Sequence, residues 1–278
     1  MRVPAVARTF EAVPTFRDAD TARRDRVVAL LWGGLCHALF GMAVLAMVAN
    51  MWFGMQLGLG SVPQPWGWVA NVMLLIQFPL GHSLLLGPAR RMLARMAPAG
   101  RGGTLATTTF ALVASIQLLA LFALWTPSGI VWWEAEGAVR WVIGAAYAGA
   151  FLMLVKASWD AGAEVQSGLL GWLSLWRGVK PVFPPMPVTG LFRHIRHPIY
   201  LAFALTTWAV PVWTPDQLLL AVVLTAYCAF GPHLKERRLE GLHGERWRQY
   251  RAKTPFWVPG LRGVLCGRAV GRPGSAPP

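Results

Sequence analysis

The stretch VVALLWGGLCHALFGMAVLAMVANMW, residues 27–52, decides the fold. It carries no Asp, Glu, Lys or Arg, and it exceeds the roughly 20 apolar residues that cross a bilayer. A mostly polar segment precedes it, and the run is too long for the apolar region of a signal peptide. The stretch therefore predicts a first membrane span rather than a cleaved leader.

Further apolar stretches follow the first. They cover residues 68–86, 104–125, 139–159, 198–213 and 216–231. The last two are short for a span. Between them, Thr214-Pro215-Asp216-Gln217 has the pattern of a capped helix start, with Thr as the N-cap, Pro at the first helical position and Gln at the third. These two stretches predict a tight helical hairpin that barely crosses the membrane.

The composition indicates a protein dissolved in lipid. Hydrophobic residues make up 55% and charged residues 14% of the 278 residues, whereas roughly a quarter of a soluble domain is charged. The net charge of +14 would suit a nucleic-acid binder. The positive residues are confined to the segments between apolar stretches, however, which is the usual excess of Lys and Arg in cytoplasmic loops. Nucleic acid is therefore not an expected partner.

Basic segments and segments without Lys or Arg alternate along the chain. The basic ones are the N-terminus, residues 87–103 and 156–197, and the tail from His233; the others are residues 53–67, 126–138 and the hairpin turn. Only Arg140 breaks the alternation, so six spans with both termini in the cytoplasm explain it. The predicted fold class is an all-α polytopic integral membrane protein of about six transmembrane helices, with a cytoplasmic C-terminal segment. Several tryptophans are then expected at the outer interface: Trp52, Trp66, Trp68, Trp125, Trp132, Trp133 and Trp213.

Residues capable of chemistry gather at the start of the hairpin and again after it. Arg196-His197-Pro198-Ile199-Tyr200 opens the hairpin, and His233–Leu239 and Gly244–Arg251 follow it. Because the hairpin returns the chain to the same leaflet, these groups become neighbours, and ionisable groups at a membrane boundary are candidates for a functional site. Basic residues beside a span also anchor anionic lipid headgroups. That alternative stays open for Arg237, Arg238, Arg246 and Arg251.

These motifs resemble those of a known family. Arg-His-Pro-x-Tyr at 196–200, Glu236-x-x-Leu239, Gly244-x-x-Trp247-x-x-Tyr250 and a following Pro are similar to the membrane methyltransferases related to isoprenylcysteine carboxyl methyltransferase. Within that group they look most like the NnrU-type and methanethiol S-methyltransferase branch. The resemblance covers roughly residues 73–259. Four positions depart from the family pattern: Lys235 replaces Glu, Ala202 replaces Gly, His243 replaces Phe and Trp247 replaces Tyr.

The resemblance implies S-adenosylmethionine as methyl donor, bound at the cytoplasmic face between the hairpin and the C-terminal segment. By match of position it implies catalytic roles for Arg196, His197 and Glu236, and a cofactor site of Arg196, His197, Pro198, Tyr200, Glu236, Trp247, Arg248 and Tyr250. An Arg can hold the donor's carboxylate in a fork, and aromatic faces can lie against adenine or the sulfonium. His82 and Ser83 are candidates for contact with the substrate. No metal is expected, because no further pair is in register with His194 and His197 for a zinc site.

The expected function is S-adenosylmethionine-dependent methylation of a small thiol such as methanethiol, giving dimethyl sulfide. A thiol attacks well only as the thiolate, and Glu236 or His197 could take its proton. Two alternatives stay open: a methyltransferase for a prenylcysteine or lipid acceptor, and a non-catalytic membrane accessory protein.

The expected partners are the thiol or lipophilic substrate and membrane lipids. The expected location is the bacterial inner membrane, with the site facing the cytoplasm. The chain divides into a cytoplasmic N-terminal segment (1–26), a membrane methyltransferase domain (27–259) and a disordered tail (260–278).

Overall fold

The structure, a computed structural model, describes residues 18–86 and 90–258. Its helices are α1 (Ala19–Trp52), α2 (Trp66–Leu86), α3 (Arg90–Met96), α4 (Gly102–Ala123), α5 (Gly137–Asp160), α6 (Ala163–Gln166), α7 (Leu169–Arg177), α8 (Pro198–Trp208), α9 (Pro215–His243) and α10 (Glu245–Lys253), with 3-10 turns at Pro98–Gly100 and Gly190–Arg193. Two short strands, β1 (Trp133–Glu134) and β2 (Val212–Trp213), pair antiparallel. The predicted tail 260–278 and residues 1–17 of the predicted N-terminal segment lie outside the described residues.

Five helices are long and apolar enough to cross a membrane: α1, α2, α4, α5 and α9. Large apolar side chains lie exposed along them, among them Leu31 and Leu45 on α1, each 70% exposed, and Trp141 on α5, 82% exposed. Apolar surface on this scale requires a nonpolar surrounding. The chain is therefore an all-α polytopic integral membrane protein, as the sequence predicts.

The helices form two packed groups. In one, α1 packs along α4, α7 lies against both, and α2 and α3 pack on α4. In the other, α8 packs against both α5 and α9. The main apolar core contains side chains from both groups, including Met51, Phe122, Leu220 and Leu224.

The bundle has two ends of different chemistry. The hairpin end is defined by the turn between α8 and α9, residues 209–214, and it also holds the loops after α1 and α4. Thr214 Oγ1 donates to Gly54 O (2.6 Å), and Trp132 N donates to Trp213 O (2.9 Å). The opposite end, the basic end, holds every described Lys and Arg except Arg140. The orientation of these ends relative to the cytoplasm stays a prediction.

A buried carboxylate ties the hairpin end together. Asp216 is fully buried, and it accepts hydrogen bonds from Trp125 Nε1 (2.9 Å), Gln56 Nε2 (3.1 Å) and Ser128 N (3.0 Å). The loops after α1 and after α4 thus meet at the first turn of α9, where the helix dipole favours a negative charge. The prediction that Trp125 lies at the outer interface is therefore wrong, because its side chain is fully buried; Trp66, from the same predicted group, is 66% exposed.

The hairpin crosses by a mixture of helix and extended chain. α8 rises about 16 Å over its 11 residues, and residues 209–213 add roughly 12–16 Å. Together they approach the roughly 32 Å that α9 rises between Pro215 and Glu236. The backbone polar groups of the non-helical part form hydrogen bonds with the neighbouring loop. Ala135 N donates to Pro211 O (2.8 Å), and β2 pairs with β1.

The prediction of two short spans is therefore wrong about their lengths. α9 continues to His243, well beyond the predicted end at Gly231. The start of α9 agrees with the prediction: Thr214 Oγ1 accepts from Gln217 N (2.9 Å), and Pro215 follows it in the first turn. The Gln217 side chain does not complete the capping box, because it donates to Thr207 O instead (2.7 Å).

Candidate functional site

The chain approaches α8 through a turn anchored on α5. The backbone N–H of Leu191 donates to Asp160 Oδ2 (2.9 Å), and Asp160 is also paired with Lys156 one helical turn earlier. Gly190 has a φ of +61°, and a Cβ at this position would collide with the Asp160 carboxylate. Glycine is required on both counts. This close approach sets where the chain enters the Arg-His-Pro motif.

His197 and Glu236 form the centre of a buried cluster. His197 is the N-cap residue of α8, with Pro198 at the first helical position, and its Nε2 lies 2.7 Å from Glu236 Oε1 on α9. Arg196 Nε lies 3.1 Å from the same oxygen, and Arg251 Nε lies 3.6 Å from the other. The structure thus brings the motif before the hairpin into contact with the segments after it.

Arg196 joins the start of α8 to the segment around the end of α10. Its Nη1 donates to the carbonyl oxygens of Arg251 (2.9 Å) and Thr254 (3.0 Å). Its backbone N–H donates to Pro255 O (2.9 Å). The Glu236 carboxylate lies on the other side of the guanidinium, which is therefore enclosed by protein groups. Arg196 is only 8% exposed. Arg196 therefore links the start of α8 to the segment around the end of α10.

Burial keeps His197 neutral. Removal of the ring from water lowers the pKa of His197 below its ordinary value of 6.5. The hydrogen bond and charge of Glu236 act in the opposite direction, and the positive charges of Lys235 and Arg196 add to the lowering of the pKa. A neutral ring that donates from Nε2 keeps a lone pair on Nδ1, and this nitrogen has no hydrogen-bond partner among the described residues.

Helix α10 closes the cluster from the side. Trp247 is 2% exposed, and its ring packs on that of Tyr250 with centres 5.5 Å apart. Tyr250 Oη donates to Phe192 O in the turn before α8 (2.6 Å). Burial raises the pKa of Tyr250 to about 12, so the phenol stays protonated and remains a donor. These two aromatic residues hold α10 against the turn.

Two cavities flank the cluster. The first, here called the tyrosine cavity, has a volume of about 300 Å³ and is lined mainly by His82, Ser83, Tyr200, Tyr227, Arg237 and Arg238. The second, the loop cavity, has a volume of about 370 Å³ and lies between α10 and the segment before α8, with Arg193, Arg246 and Lys253 in its walls. Tyr200 connects the tyrosine cavity to the cluster, because its ring packs edge-on against His197 with centres 5.9 Å apart.

Side chains from α2, α8 and α9 meet at the tyrosine cavity. The Ser83 hydroxyl interacts with the Tyr227 phenol, and the rings of Tyr200 and Tyr227 have centres 6.3 Å apart. Lys235 places its Nζ 5.8 Å from the centre of the Tyr200 ring. No carboxylate occurs among the described residues that line this cavity.

The residues predicted for the site fall into three groups. Those in mutual contact are Arg196, His197 and Glu236, with Pro198, Trp247 and Tyr250 packed around them. Those at the tyrosine cavity are Tyr200, His82 and Ser83. Arg248 belongs to neither group, because it lies on the exposed face of α10 and pairs with Glu245 (3.0 Å) and Glu240 (3.6 Å). Arg248 is therefore removed from the candidate site.

Part of the cavity wall is not predicted from the sequence. Tyr227, Gly231, Leu234 and Arg238 line the tyrosine cavity, and their spacing of four, three and four residues puts them on one face of α9. Glu236 lies on the other face, with the buried Cys228 and Pro232. The helical period of α9 therefore could have indicated that one face of this helix lines the cavity and the other face contacts the buried cluster. Ala202, the other departure near the motif, is fully buried in α8.

Comparison with known proteins matches most of the chain. Methanethiol S-methyltransferase 1 of Bradyrhizobium diazoefficiens is 31% identical over 199 residues, which cover 70% of this chain and 68% of that protein. Methanethiol S-methyltransferase of Pseudomonas sp. strain GM41 is 27% identical over 242 residues, covering 84% of this chain and 91% of that protein. Nurim of Rattus norvegicus is 25% identical over 193 residues, covering 64% and 70%. No solved structure matches the chain.

One family profile matches the region that builds the site. It covers residues 71–270 and is described as NnrU protein. This range includes the buried cluster and the residues that line the two cavities. The motif beginning at Arg196, the hairpin and the segment after it therefore share one origin with the relatives above: the chain belongs to the NnrU protein family.

Proposed function

We propose that this protein is a membrane S-methyltransferase that moves the methyl group of S-adenosylmethionine to a small thiol such as methanethiol, giving dimethyl sulfide. Relatives named methanethiol S-methyltransferase align over most of the chain and support this activity. The structural observation that carries the proposal is the tyrosine cavity, which combines two phenols and two guanidinium groups around a space of about 300 Å³.

The walls of the tyrosine cavity fit the methyl donor. When bound, S-adenosylmethionine supplies a methyl group activated by a positively charged sulfur. Arg237 and Arg238 would hold its carboxylate, because guanidinium groups pair with carboxylates in a fork. The faces of Tyr200 and Tyr227 would lie against the adenine or the sulfonium. Arg237 has no ion pair among the described residues, so it is available for such a contact.

Arg196, His197 and Glu236 would position this wall. They fix the start of α8 against α9, and Tyr200 follows within the first turn of α8 and faces the cavity. Alignment of the two reactants supplies much of the rate of a displacement reaction, so a small rotation of α8 would slow transfer. The catalytic roles expected for these three residues become positioning roles in this proposal.

The size of the tyrosine cavity supports a small acceptor. Ligand pockets commonly have volumes of about 300–1,000 Å³, and this one, at about 300 Å³, is at the small end of that range. His82 and Ser83, the cavity residues contributed by α2, are proposed to contact the thiol.

We place the site at the cytoplasmic face of a bacterial inner membrane. The basic end of the bundle carries both cavities and every described Lys and Arg except Arg140, and such loops face the cytoplasm in most membrane proteins. The proposed division is a cytoplasmic segment before residue 27, a methyltransferase domain to residue 259 and a tail beyond it.

Purified protein in lipid nanodiscs tests the proposal. Binding of S-adenosylmethionine is measured by calorimetry, and methyl transfer is measured in parallel with methanethiol, hydrogen sulfide and a prenylcysteine analogue. We expect donor binding and transfer to methanethiol. The Arg237→Ala variant should bind the donor at least about tenfold more weakly, whereas Arg248→Ala should bind it like the wild type. Absence of binding, or equal binding by both variants, contradicts the proposed site. Donor binding without transfer to any acceptor favours the accessory-protein alternative.

A further inference from the structure

Helix α10 presents a basic face to the loop cavity. Arg246, Gln249, Tyr250 and Lys253 line this cavity, and their spacing of three, one and three residues places them along one side of the helix. The adjacent side of α10 carries Trp247, which is buried against the rest of the protein. Two cations, seven positions apart, therefore lie on the same wall of the loop cavity.

A third cation approaches from the other wall. Arg193 ends the 3-10 turn before α8, and it lines the loop cavity together with Met186 and Val188. Three cations thus surround a space of about 370 Å³, which lies within the range of about 300–1,000 Å³ that is common for ligand pockets. The hydrogen bond from Tyr250 Oη to Phe192 O (2.6 Å) joins the same two walls.

The positive charge of the loop cavity is not offset by its surroundings. No carboxylate occurs among the described residues that line it, and none of its three cations forms an ion pair with a described residue. Glu245 is next to Arg246 in sequence, but its carboxylate pairs with Arg248 (3.0 Å) and accepts a hydrogen bond from Gln249 (3.3 Å). Guanidinium groups bind phosphate oxygens in a fork, and an ammonium group binds them as a point charge. The cavity therefore suits a phosphate group.

Apolar side chains beside the cations favour a phosphate that belongs to a lipid. Met186 and Val188 form part of the wall itself. Phe183, shortly before them in the chain, and Leu242, shortly before α10, are both more than half exposed. Cations together with exposed apolar side chains are typical of protein surfaces that lie in the interfacial region of a membrane. A phospholipid offers a partner to both kinds of side chain, whereas a soluble phosphate compound offers one only to the cations.

We propose that the loop cavity binds the phosphate group of an anionic phospholipid through Arg193, Arg246 and Lys253. This site is separate from the tyrosine cavity, and the inference goes beyond the proposed function. It also selects Arg246 from the four arginines for which the sequence leaves lipid anchoring open. The bound phosphate would connect α10 to the turn before α8, so the lipid would hold in place the helix that closes the buried cluster.

Native mass spectrometry of the purified full-length protein in detergent tests the proposal. Phosphatidylglycerol is titrated against the protein, and phosphatidylcholine, whose headgroup has no net charge, is titrated in parallel. We expect one phosphatidylglycerol molecule to bind more tightly than any further one, and more tightly than phosphatidylcholine. Arg193→Gln and Arg246→Gln should each weaken this binding about fivefold or more. Arg248→Gln removes the same charge from another side of α10 and should bind like the wild type.

Three results would overturn the proposal. The wild type could bind both lipids equally. Arg246→Gln and Arg248→Gln could have equal effects, in which case the protein attracts anionic lipid through its overall charge only. Inorganic phosphate or glycerol phosphate, added as a competitor at submillimolar concentration, could displace phosphatidylglycerol, which would assign the cavity to a soluble phosphate compound.

Two further measurements keep the test decisive. Thermal unfolding of each variant is recorded, and Lys253→Gln replaces Arg246→Gln if the latter does not fold. Transfer to methanethiol is measured on the same preparations. Tight binding of phosphatidylglycerol by a protein that transfers no methyl group contradicts the proposed function and supports the lipid site.

Discussion

His197 and Glu236 are separated by 39 positions in the chain, yet His197 Nε2 and Glu236 Oε1 lie 2.7 Å apart, with the two residues 1% and 5% exposed. This contact joins α8 to α9 at the basic end of the bundle. Arg196 and Arg251 approach the same carboxylate, so one negative charge compensates two buried or half-buried cations. We therefore expect the pair to control stability and its dependence on pH, and in the proposed function it is the tyrosine cavity beside it that binds the reactants.

Removal of the Glu236 carboxylate should destabilise the protein strongly. Glu236→Ala leaves Arg196 without its counter-charge in a buried position, and breaking a buried pair typically costs about 3–5 kcal/mol. The measurement is the free energy of unfolding in detergent micelles. Glu245→Ala, on the exposed face of α10, is the control and should change that free energy by less than about 0.5 kcal/mol. Equal effects of the two substitutions would show that the cluster does not stabilise the fold.

Stability should fall as the pH drops below about 6.5. The pKa of His197 is lower in the folded protein than its ordinary value of 6.5, so the unfolded chain binds more protons in the interval between these two values. The contribution is complete above pH 6.5 and is lost as the pH falls toward the folded pKa. Unfolding temperatures recorded from about pH 8 to 5 should show this decline, and His197→Asn should reduce it. His194→Asn, which alters an exposed histidine, should leave the decline unchanged.

Alanine should not be tolerated at position 190. Gly190→Ala places a side chain at a φ of +61° and drives it into the Asp160 carboxylate. The conformational part alone costs about 1–2 kcal/mol, and methyl transfer should slow because the turn leads into the Arg-His-Pro motif. Gly103→Ala is the matched control, since a Cβ there meets open space in α4. It should be neutral or stabilise by up to about 1 kcal/mol. A Gly190→Ala protein as stable and active as the control would contradict this account of the turn.

Substitution of Asp216 should affect stability without affecting the site. Asp216→Asn turns one acceptor oxygen into a donor that faces other donors, and we expect a loss of about 2–3 kcal/mol in the free energy of unfolding. Asp216 lies roughly 30 Å along α9 from Glu236. Donor binding, measured at a temperature where the variant is folded, should therefore match the wild type. Weakened binding by the folded variant would show that the two ends of the bundle are coupled.

The elements of the fold that depend on short stretches of sequence are predicted correctly. Apolar length predicts α1, α2, α4 and α5, and the Thr214-Pro215 pair predicts the start of α9. The hairpin's mixed crossing is not predictable in this way, because residues 209–213 are satisfied by strand β1, some 80 positions earlier in the chain. Such a partner leaves no mark in the sequence of the hairpin itself.

The sequence predicts which residues come together at the site, but it does not predict how their side chains are arranged. Pairing of Arg196 and His197 with Glu236 follows from the return of the hairpin to the same end. The outward direction of Arg248 depends on how α10 docks, which is set by Trp247 and Tyr250. The sequence predicts Tyr200, His82 and Ser83 as site residues but not Tyr227, because Tyr227 lies in the middle of an apolar stretch, where a lone tyrosine is indistinguishable from a packing residue.

The extended segment that completes α8 also makes this helix depend on its neighbours for its place in the membrane. Eleven helical residues fall well below the roughly 17 that the bilayer accepts as an independent span. We therefore expect that α8 does not insert alone, and that its insertion requires α9, on which it packs, and the loop that carries β1. A chain truncated before α9 should leave α8 outside the bilayer and open to added protease.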